Sequence, residues 1–394
     1  MPSEPLFPVR ADNVPLCVPH LAGNEWDYVS SCLDTGWVSS AGKFVDSFEA
    51  AIARRVGTEY AVATSSGTSA LHVSLLVAGV QPGDEVIVST LTFIAPANAI
   101  RYVGAHPVFV DAEPEFWQMD PERVRSFLEN DCRLVGGVLR NVLTGRRVRA
   151  LLPVHILGHP VDMDPLLDLA ARFHLVVIED ATEALGSFYK DRPAGHVGDM
   201  ACFSFNGNKI VTAGGGGAIV TDRPDWAERA RYLTTQAKDD PVEYIHNEIG
   251  YNYRLTNIQA ALGSAQLEQL DDFVRAKRGV ASVYDEAFSE VPGVTCMGEA
   301  PWARSNFWLY TILLDARTCR TDSRGLLKQL ATAGIQTRPL WQPLHRSPAH
   351  AGATVLGSEV AERLNEQALS LPCSVGLTRD DQRRVVDEVL RITR

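Results

Sequence analysis

The sequence predicts an α/β fold in which a mostly parallel sheet is flanked by helices, followed by a smaller C-terminal α+β domain. From residue 60 onward, short runs rich in Val and Ile alternate with segments of helical periodicity. These runs are apolar throughout, which is typical of strands that are covered on both faces. After about residue 255 the pattern changes to a long helix and a second set of strands and helices. We therefore place a large domain at 1–255 and a smaller domain at 256–394.

The predicted elements follow in chain order. Strands are expected at 59–64, 84–89, 106–111, 149–157, 175–180, 200–205 and 217–222. Helices are expected within "GTSALHVSLLVAG", "IAPANAIRYVG" and "MDPLLDLAARFH". In the smaller domain, a long helix after 255 breaks near Leu270 to Asp272 and precedes a strand at 306–315, a helix at 323–334 and a last helix from about Arg379. The Pro-rich residues before about 22 are expected to form an arm.

Composition excludes several classes of protein. The net charge of −11 repels a phosphate backbone, so nucleic acid is not an expected partner. The seven cysteines contain no C-x-x-C pair, which favours reduced thiols over a disulfide framework or a zinc site. His155 and His159 are expected to be ordinary loop histidines rather than metal ligands. The N-terminus does not resemble a signal peptide and no apolar run approaches a membrane span, so we expect a soluble cytoplasmic protein.

Candidate binding residues follow three predicted strands, at the edge where ligands bind in open α/β sheets. "SSGTSAL" (65–71) opens a helix, and its N–H groups and hydroxyls suit a phosphate dianion, although Ser65 or Ser66 could simply cap the helix. Asp180 could hold a cationic ring nitrogen or cap the next helix. Phe93 could stack on an aromatic cofactor or belong to the core.

The stretch "FSFNGNKIVTAGGGGAIVTD" (203–222) breaks an apolar pattern around one lysine. Ser204 and Lys209 lie five residues apart, so that a hydroxyl can reach a phosphate and an amine can reach a carbonyl. A lysine in such a site can act as a nucleophile, whereas a solvated turn is the alternative. The glycines at 214–217 allow close backbone approach or φ values that other residues avoid. Together with the three strand ends, this stretch supplies what a protein needs to hold pyridoxal 5′-phosphate.

The sequence also resembles the DegT/StrS sugar aminotransferases, which have the aspartate aminotransferase fold of the pyridoxal-phosphate-dependent transferases. The resemblance covers nearly the whole chain and includes "SSGTSAL", "IEDATEALGS", "FSFNGNKIVTAGGGGAIV", "EIGYNYRLTNIQAALG" and "GIQTRPLWQPLH". It implies that Lys209 is the catalytic Schiff-base lysine, that Asp180 partners the pyridine nitrogen and that Phe93 stacks on the ring. The residues that would hold the phosphate are Gly67, Thr68 and Ser204.

Two further features follow from the same resemblance. The residue three after the aspartate also touches the cofactor in this family, where it is commonly Gln or His, and here it is Glu183. "GYNYRL" is similar to the loop that crosses a dimer interface to the neighbour's phosphate, which implies a homodimer in which Asn252 and Arg254 belong to a shared site. Capping of the following helix or pairing on the surface is the structural alternative for both residues.

The resemblance implies transfer of an amino group from L-glutamate to a nucleotide-activated keto sugar in bacterial cell-surface glycan biosynthesis. The stretch at 234–263 is most similar to the branch that aminates C4 of 4-keto-6-deoxy-N-acetylhexosamine nucleotides on the way to legionaminic-type acids. Perosamine-type and bacillosamine-type substrates, carried by UDP or GDP, are alternative acceptors. A non-catalytic regulatory protein on the same fold is an alternative function, although the presence of Lys209 argues against it. Cations that could hold the diphosphate, or could simply be solvated, are Lys238, Arg338, His345 and Arg346.

Overall fold

A computed structural model describes residues 13–394, and the first part of the expected N-terminal arm lies outside this range. The strands, in chain order, are β1 (Tyr60–Thr64), β2 (Glu85–Ser89), β3 (His106–Val110), β4 (Cys132–Val135), β5 (Val138–Asn141), β6 (Val148–Leu152), β7 (Val176–Asp180), β8 (Phe188–Tyr189), β9 (Arg192–Pro193), β10 (Met200–Ser204), β11 (Gly217–Thr221), β12 (Val294–Cys296), β13 (Ala303–Arg304), β14 (Tyr310–Leu314), β15 (Thr354–Leu356) and β16 (Ala368–Leu371).

The α-helices are α1 (Glu25–Thr35), α2 (Lys43–Val56), α3 (Gly67–Val77), α4 (Ala95–Tyr102), α5 (Pro121–Ser126), α6 (Met163–Phe173), α7 (Pro224–Thr234), α8 (Asn257–Glu268), α9 (Leu270–Phe288), α10 (Ser323–Thr332), α11 (Glu359–Gln367) and α12 (Arg379–Thr393). None of the helices in the described part of the chain combines the length and the apolarity that are needed to cross a membrane.

The main sheet is mostly parallel, as the sequence predicts. Within residues 13–394 its strand order is β1-β11-β10-β7-β6-β2-β3-β15, and β11 runs antiparallel to both of its neighbours. β1 is therefore parallel to β10, and the carboxyl ends of β1, β10, β7, β6, β2 and β3 meet at one edge. This edge is where a ligand site is expected in an open α/β sheet.

Helices cover both faces of this sheet. Val86 and Val88 of β2 pack in one hydrophobic cluster, whereas Ile87, which points to the opposite face, packs in another. The same alternation separates Cys202 from Phe203 in β10. Both faces are buried, which explains why these strands are apolar throughout and confirms the predicted fold class.

The long helix after residue 255 breaks at Gln269, one residue before the predicted position, and continues as α9. Thr256 begins α8 with a capping box, in which its hydroxyl and the side chain of Gln259 each accept a backbone N–H of the other residue. Beyond α9, the antiparallel strands β12, β14 and β16 form a smaller sheet. β15 returns to the main sheet beside β3, so chain from beyond residue 255 contributes to the large sheet, and the boundary at 255 stays a prediction.

Two predicted strands are too long. The strand at 149–157 ends at Leu152, because Pro153 has no N–H to donate, and Leu157 then takes a left-handed conformation with φ 60°. The strand at 306–315 begins only at Tyr310, since Phe307 has φ 49° and leaves the extended conformation. The second irregular segment contributes Trp308 to the cavity described below, and Leu157 of the first donates its N–H to the cavity residue Glu183.

Candidate active site

A cavity of about 560 Å³ opens at the carboxyl ends of the main-sheet strands. Its walls contain the seven residues that the sequence predicts as the cofactor site within one subunit, which are Gly67, Thr68, Phe93, Asp180, Glu183, Ser204 and Lys209. Residues that the sequence did not single out also line it, among them Thr182, Asn206, Asn208, Trp308 and Trp341. The predicted convergence of four separate chain segments is therefore observed.

Sheet register brings these segments together. Asp180 at the end of β7 lies beside Cys202 of β10, and Ser204 at the end of β10 lies beside Gly217 of β11. Gly217 in turn pairs with Thr64, the last residue of β1. The acid, the hydroxyl and the start of α3 consequently share one edge of the sheet.

The start of α3 leaves space for an anion because Gly67, its first residue, and Gly217, which lies beside it, have no side chains. A Cβ on Gly217 would lie 2.5 Å from the carbonyl carbon of Ser66, and a Cβ on Gly67 would lie 2.8 Å from the Cβ of Ser204. A larger residue at either position would therefore collide with its neighbour. At Gly217 the neighbour is the backbone of Ser66, and at Gly67 it is the side chain of Ser204. Ser66 caps α3 through its hydroxyl, which accepts the Ser69 N–H at 3.0 Å, so the capping alternative is observed for this residue. Gly67 and Thr68, in the first turn, face the cavity.

Asp180 is almost fully buried, at 2% exposure. Its Oδ1 accepts the Thr182 N–H at 3.1 Å. Burial raises the pKa of Asp180, and the hydrogen bonds from Thr182 and the positive charge of Lys209 oppose this rise. A carboxylate in such surroundings has lost its hydration and is stabilised by a cationic partner.

Lys209 lies in the turn between β10 and β11, and its ammonium has two neighbours. Nζ is 3.4 Å from Oε1 of Glu183 and 4.0 Å from the centroid of the Trp308 ring. Glu183 is held by the Leu157 N–H, which donates to Oε2 at 2.8 Å from the strained backbone noted above. Burial raises the pKa of Glu183, and the charge of Lys209 lowers it. Glu183 is thus the acidic partner of the lysine.

Trp308 is the main contact that sequence reasoning missed. Its indole N–H donates to the Asn208 carbonyl at 2.8 Å, and its own carbonyl accepts the buried ammonium of Lys277 at 2.8 Å. A tryptophan within the apolar run "NFWLYTILLD" indicates a core residue, and only the irregular backbone at Phe307 turns its ring toward Lys209. The turn that carries Lys209 is therefore tied to a segment 100 residues away.

The predicted dimer-loop residues do not line the cavity of their own chain. Asn252 is exposed and pairs with Thr235 across an isolated bridge. The Arg254 guanidinium forms an ion pair with the buried Glu49 of the same chain and lies 3.4 Å from the Ala63 carbonyl. For Arg254, the structure thus provides the intrachain pairing that the sequence kept as an alternative.

The four predicted diphosphate cations also lie outside the described cavity lining. His345 uses both ring nitrogens, one with the Thr90 hydroxyl at 2.8 Å and one with the Glu362 carboxylate at 3.1 Å. The Lys238 ammonium lies 5.2 Å from the centroid of the Tyr244 ring. Arg338 and Arg346 are exposed. Arg338 precedes the cavity residue Trp341 in the chain, and Arg346 follows it.

The two loop histidines, His155 and His159, are both buried. His155 lies between the Glu179 carboxylate, 2.8 Å from its Nε2, and the Val161 N–H, which donates to its Nδ1. His159 accepts the Ala300 N–H, and burial lowers its pKa to about 4. No group of three or more potential metal ligands is found among residues 13–394.

Comparison with known proteins identifies the family. The family model for the DegT/DnrJ/EryC1/StrS aminotransferases matches residues 19–390. The chain belongs to the DegT/DnrJ/EryC1/StrS aminotransferase family. The GDP-perosamine synthase of Caulobacter vibrioides is 40% identical over 381 residues, which cover 96% of this chain and 98% of that protein. The GDP-perosamine synthase of Escherichia coli O157:H7 is 38% identical over 367 residues, which cover 93% and 95%.

The solved structure of DesV from S. venezuelae matches this aminotransferase with a TM-score of 0.83 at 35% identity, and it covers 93% of this chain and 94% of that chain. The predicted family, fold and enzyme class are confirmed: the protein is a pyridoxal-phosphate-dependent sugar aminotransferase. The finer likeness to a legionaminic-acid branch is not what these comparisons find, since both relatives named above are perosamine synthases.

The cavity of this aminotransferase fits pyridoxal phosphate on three counts. The glycine-lined start of α3, with the hydroxyls of Thr68 and Ser204, suits a phosphate dianion. The buried carboxylate of Asp180 suits a protonated ring nitrogen. The amine of Lys209, in the same cavity, suits a carbonyl carbon. The donor set therefore matches the phosphate, the ring nitrogen and the aldehyde of one molecule.

Proposed function

We propose that this enzyme transfers the amino group of L-glutamate to the C4 carbonyl of a nucleotide-linked 4-keto-6-deoxy sugar. The observation that carries the proposal is the position of Lys209, whose Nζ lies between Glu183 and Trp308 in the cavity that also contains Asp180 and the start of α3. A lysine, a buried acid and an anion cradle at one sheet edge are the groups that transamination requires of the protein.

When bound, pyridoxal phosphate supplies the electron sink that makes a carbanion at the amino-acid Cα accessible. Lys209 has two roles in this proposal. Its amine would hold the cofactor through the aldehyde carbon, and as a free amine Nζ would take the proton from the glutamate Cα as a general base. The same amine later returns a proton to C4 of the sugar when the amino group is transferred.

The acidic residues control charge around this lysine. Asp180 keeps a proton on the ring nitrogen, because a buried carboxylate without a cation would be strongly destabilised. Glu183, with Oε1 3.4 Å from Nζ, orients the lysine and balances its charge. Gly67, Thr68 and Ser204 would hold the phosphate, and Phe93, whose exposed side chain lines the same cavity, would stack on the ring.

Two sugar classes are candidates for the acceptor. The GDP-perosamine synthases at 40% and 38% identity favour a GDP-linked 4-keto-6-deoxy sugar that yields a perosamine-type product. The stretch at 234–263 favours the UDP- or GDP-linked 4-keto-6-deoxy-N-acetylhexosamine that the sequence suggested. The two differ at C2, which carries a hydroxyl in the first sugar and an acetamido group in the second.

A substrate screen by mass spectrometry tests the proposal. Purified enzyme with pyridoxal phosphate and glutamate is offered GDP- and UDP-linked 4-keto sugars, with and without the C2 acetamido group. We expect one nucleotide–sugar pair to gain an amino group while 2-oxoglutarate accumulates in equal amount. The Lys209→Ala variant serves as the blank. Absence of an amine product from every keto sugar would refute the proposed function.

We further propose that the enzyme acts as a homodimer with shared active sites. Support comes from large apolar side chains that are exposed in the single chain, including Trp26 at 82%, Trp37 at 58% and Ile249 at 81%. Exposed patches of this kind mark interaction surfaces. Asn252 lies near Ile249 in sequence and is the residue we expect to reach the partner's site.

A further inference from the structure

A buried lysine joins two cysteines just behind the cavity wall. Lys277 of α9 is 2% exposed, and its ammonium donates to the carbonyls of Trp308 and Cys373, each at 2.8 Å. The same nitrogen is 3.5 Å from the Sγ of Cys17 and 3.8 Å from the Sγ of Cys373. A buried ammonium is seldom seen without a carboxylate, and here thiols and carbonyls are its described partners.

The two cysteines are neighbours because their segments pair. The Cys373 N–H donates to the Leu16 carbonyl at 2.8 Å, and the Val18 N–H donates to the Ser374 hydroxyl at 3.0 Å. Each thiol also donates to a backbone carbonyl of the same region, Cys17 to Asn208 and Cys373 to Trp308, both at 3.5 Å. Cys17 is half-buried, whereas Cys373 is 1% exposed. Cys17 is therefore the thiol that a small reagent reaches first.

The surroundings of Cys17 favour its thiolate. The neighbouring Cys373 thiol and the ammonium of Lys277, which donates to the Cys17 Sγ at 3.5 Å, lower the pKa of Cys17 against the opposing effect of burial, and the charge of Lys209 adds to this lowering. Cys296 is also half-buried, but burial raises its pKa. Thiolates rather than thiols react with peroxides. Cys17 is therefore expected to react faster than Cys296, although both are half-buried.

We propose that Cys17 and Cys373 are a redox pair that a hydroperoxide converts to a disulfide. The Cys17 thiolate attacks the peroxide oxygen, which yields a sulfenic acid and, after protonation, an alcohol or water. The Cys373 thiol then attacks the Cys17 sulfur, which forms the S–S bond and releases water. Overall, two thiols lose two electrons and two protons, and the peroxide is reduced.

This pair is connected to the lysine of the cavity. The Asn208 carbonyl, one residue before Lys209, lies 3.5 Å from the Cys17 Sγ and also accepts the Trp308 indole N–H. A disulfide draws Cys17 toward Cys373 and removes charge from beside Lys277, which holds the Trp308 backbone. Oxidation is therefore expected to disturb the Trp308–Lys209 contact and to slow turnover.

The test uses the full-length, cofactor-loaded protein. It is treated with hydrogen peroxide, free thiols are blocked with iodoacetamide, and a non-reducing tryptic digest is analysed by mass spectrometry. We expect peptide 11–43 joined to peptide 364–379, with two hydrogens lost and with separation on reduction. Because peptide 11–43 also contains Cys32, fragment spectra must place the bond at Cys17. Peptide 279–304, which contains Cys296, is the internal control and is expected to remain reduced.

Variants separate the pair from general thiol damage. Cys373→Ser should leave Cys17 as a sulfenic acid that dimedone captures, and Cys17→Ser should give neither product and should keep its activity under peroxide. Iodoacetamide should label Cys17 in the untreated protein about tenfold faster than Cys296. The proposal is overturned if Cys17 reacts no faster than Cys296 or if no Cys17–Cys373 link forms. A link that forms without slowing turnover would disprove the connection to the cavity.

Discussion

The ammonium of Lys209 lies 4.0 Å from the centroid of the Trp308 ring, on a segment that is distant in sequence. A cation at this distance from an indole face is attracted by roughly 0.5–2 kcal/mol, more when water is excluded. Together with Glu183, the indole restricts where Nζ can lie. The arrangement gives the reactive lysine a defined position before any ligand binds.

We expect Lys209→Ala to abolish both turnover and the near-ultraviolet to visible absorption of the lysine-bound cofactor, because no other described amine lines the cavity. Absorption spectra and single-turnover assays measure the two effects. Lys190→Ala, at an exposed lysine paired with Asp164, is the control and should behave as wild type. A Lys209→Ala enzyme that turns over many times would show that the assignment is wrong.

Replacement of Trp308 tests its positioning role. Trp308→Leu should lower kcat about tenfold, corresponding to about 1.4 kcal/mol, with little change in the KM for the sugar, whereas Trp308→Phe should retain most activity. Trp226 is a matched control, since Arg223 also lies 4.0 Å from its ring centroid, but outside the described cavity lining. If Trp226→Leu and Trp308→Leu lower kcat equally, the effect is one of stability rather than of lysine position.

Asp180→Asn should lower kcat by more than about tenfold, because a neutral amide does not keep the ring nitrogen protonated. Rapid-mixing absorbance of the glutamate half-reaction isolates this step from sugar binding. The amide retains the acceptor for the Thr182 N–H, so the fold should be preserved. A smaller loss of activity would argue against the electron-sink role of this residue.

The same substitution has a predicted effect on the stability of the apoenzyme. Burial raises the pKa of Asp180 above its unfolded value of about 4. Below that value both states are protonated. As the pH rises through it, the unfolded chain loses its proton first, so the folded state binds more protons and the free energy of unfolding falls with pH. Asp180→Asn should therefore raise the Tm of the cofactor-free protein at neutral pH.

This stabilisation should shrink as the pH falls through about 4 and vanish below it, where the wild-type carboxyl is protonated in both states. Thermal unfolding of both apoproteins between about pH 3 and pH 8 measures it. A Tm difference that does not depend on pH would contradict the buried-charge explanation. Addition of pyridoxal phosphate should stabilise the wild type more than the variant, because the wild-type carboxylate then gains its cationic partner.

The elements that the sequence predicts well are those whose signal is local. β7 and β10 are buried on both faces and differ from their predicted ranges by one residue at an end. Asp180 and Ser204 could be placed because each ends such a strand, and Lys209 because it lies in the turn five residues after Ser204. β15 and the hairpin of β4 and β5 gave no comparable signal, since they are short and their pairing depends on distant chain or on exposed residues.

The missed parts of the site depend on long-range contacts. No periodicity indicates that Trp308 faces Lys209, because the contact depends on the left-handed residue at 307 and on the hydrogen bond to Asn208. Likewise, the sequence suggested four basic residues as diphosphate ligands. One of them, His345, instead uses its two ring nitrogens with Thr90 and Glu362. Charge type is visible in a sequence, but the partner that neutralises it is not.

Subunit mixing tests whether each site is completed by the other chain. Arg254 pairs with Glu49 in its own chain, so Asn252 is the sharper probe, and Arg254→Ala alone should mainly lower stability. We expect an Asn252→Ala, Arg254→Ala chain and a Lys209→Ala chain each to be inactive as homodimers. In a mixed dimer with shared sites, one site combines an intact Lys209 with the partner's intact loop, and the other site carries all the defects.

Mixing should then restore activity to about a quarter of wild type in the unfractionated mixture, if half of the dimers are mixed and each has one good site of two, and to about half of wild type in isolated mixed dimers. If the loop instead serves its own subunit, the two defects fall in different sites and neither site of the mixed dimer is intact. Subunit exchange is confirmed by tagging the two chains differently and isolating doubly tagged dimers before the assay. Arg254→Lys is the control for stability, because it preserves a cation for Glu49 while it changes the group that would reach the partner's site. No recovery in isolated mixed dimers would remove the shared-site proposal and leave the Glu49 ion pair as the role of Arg254.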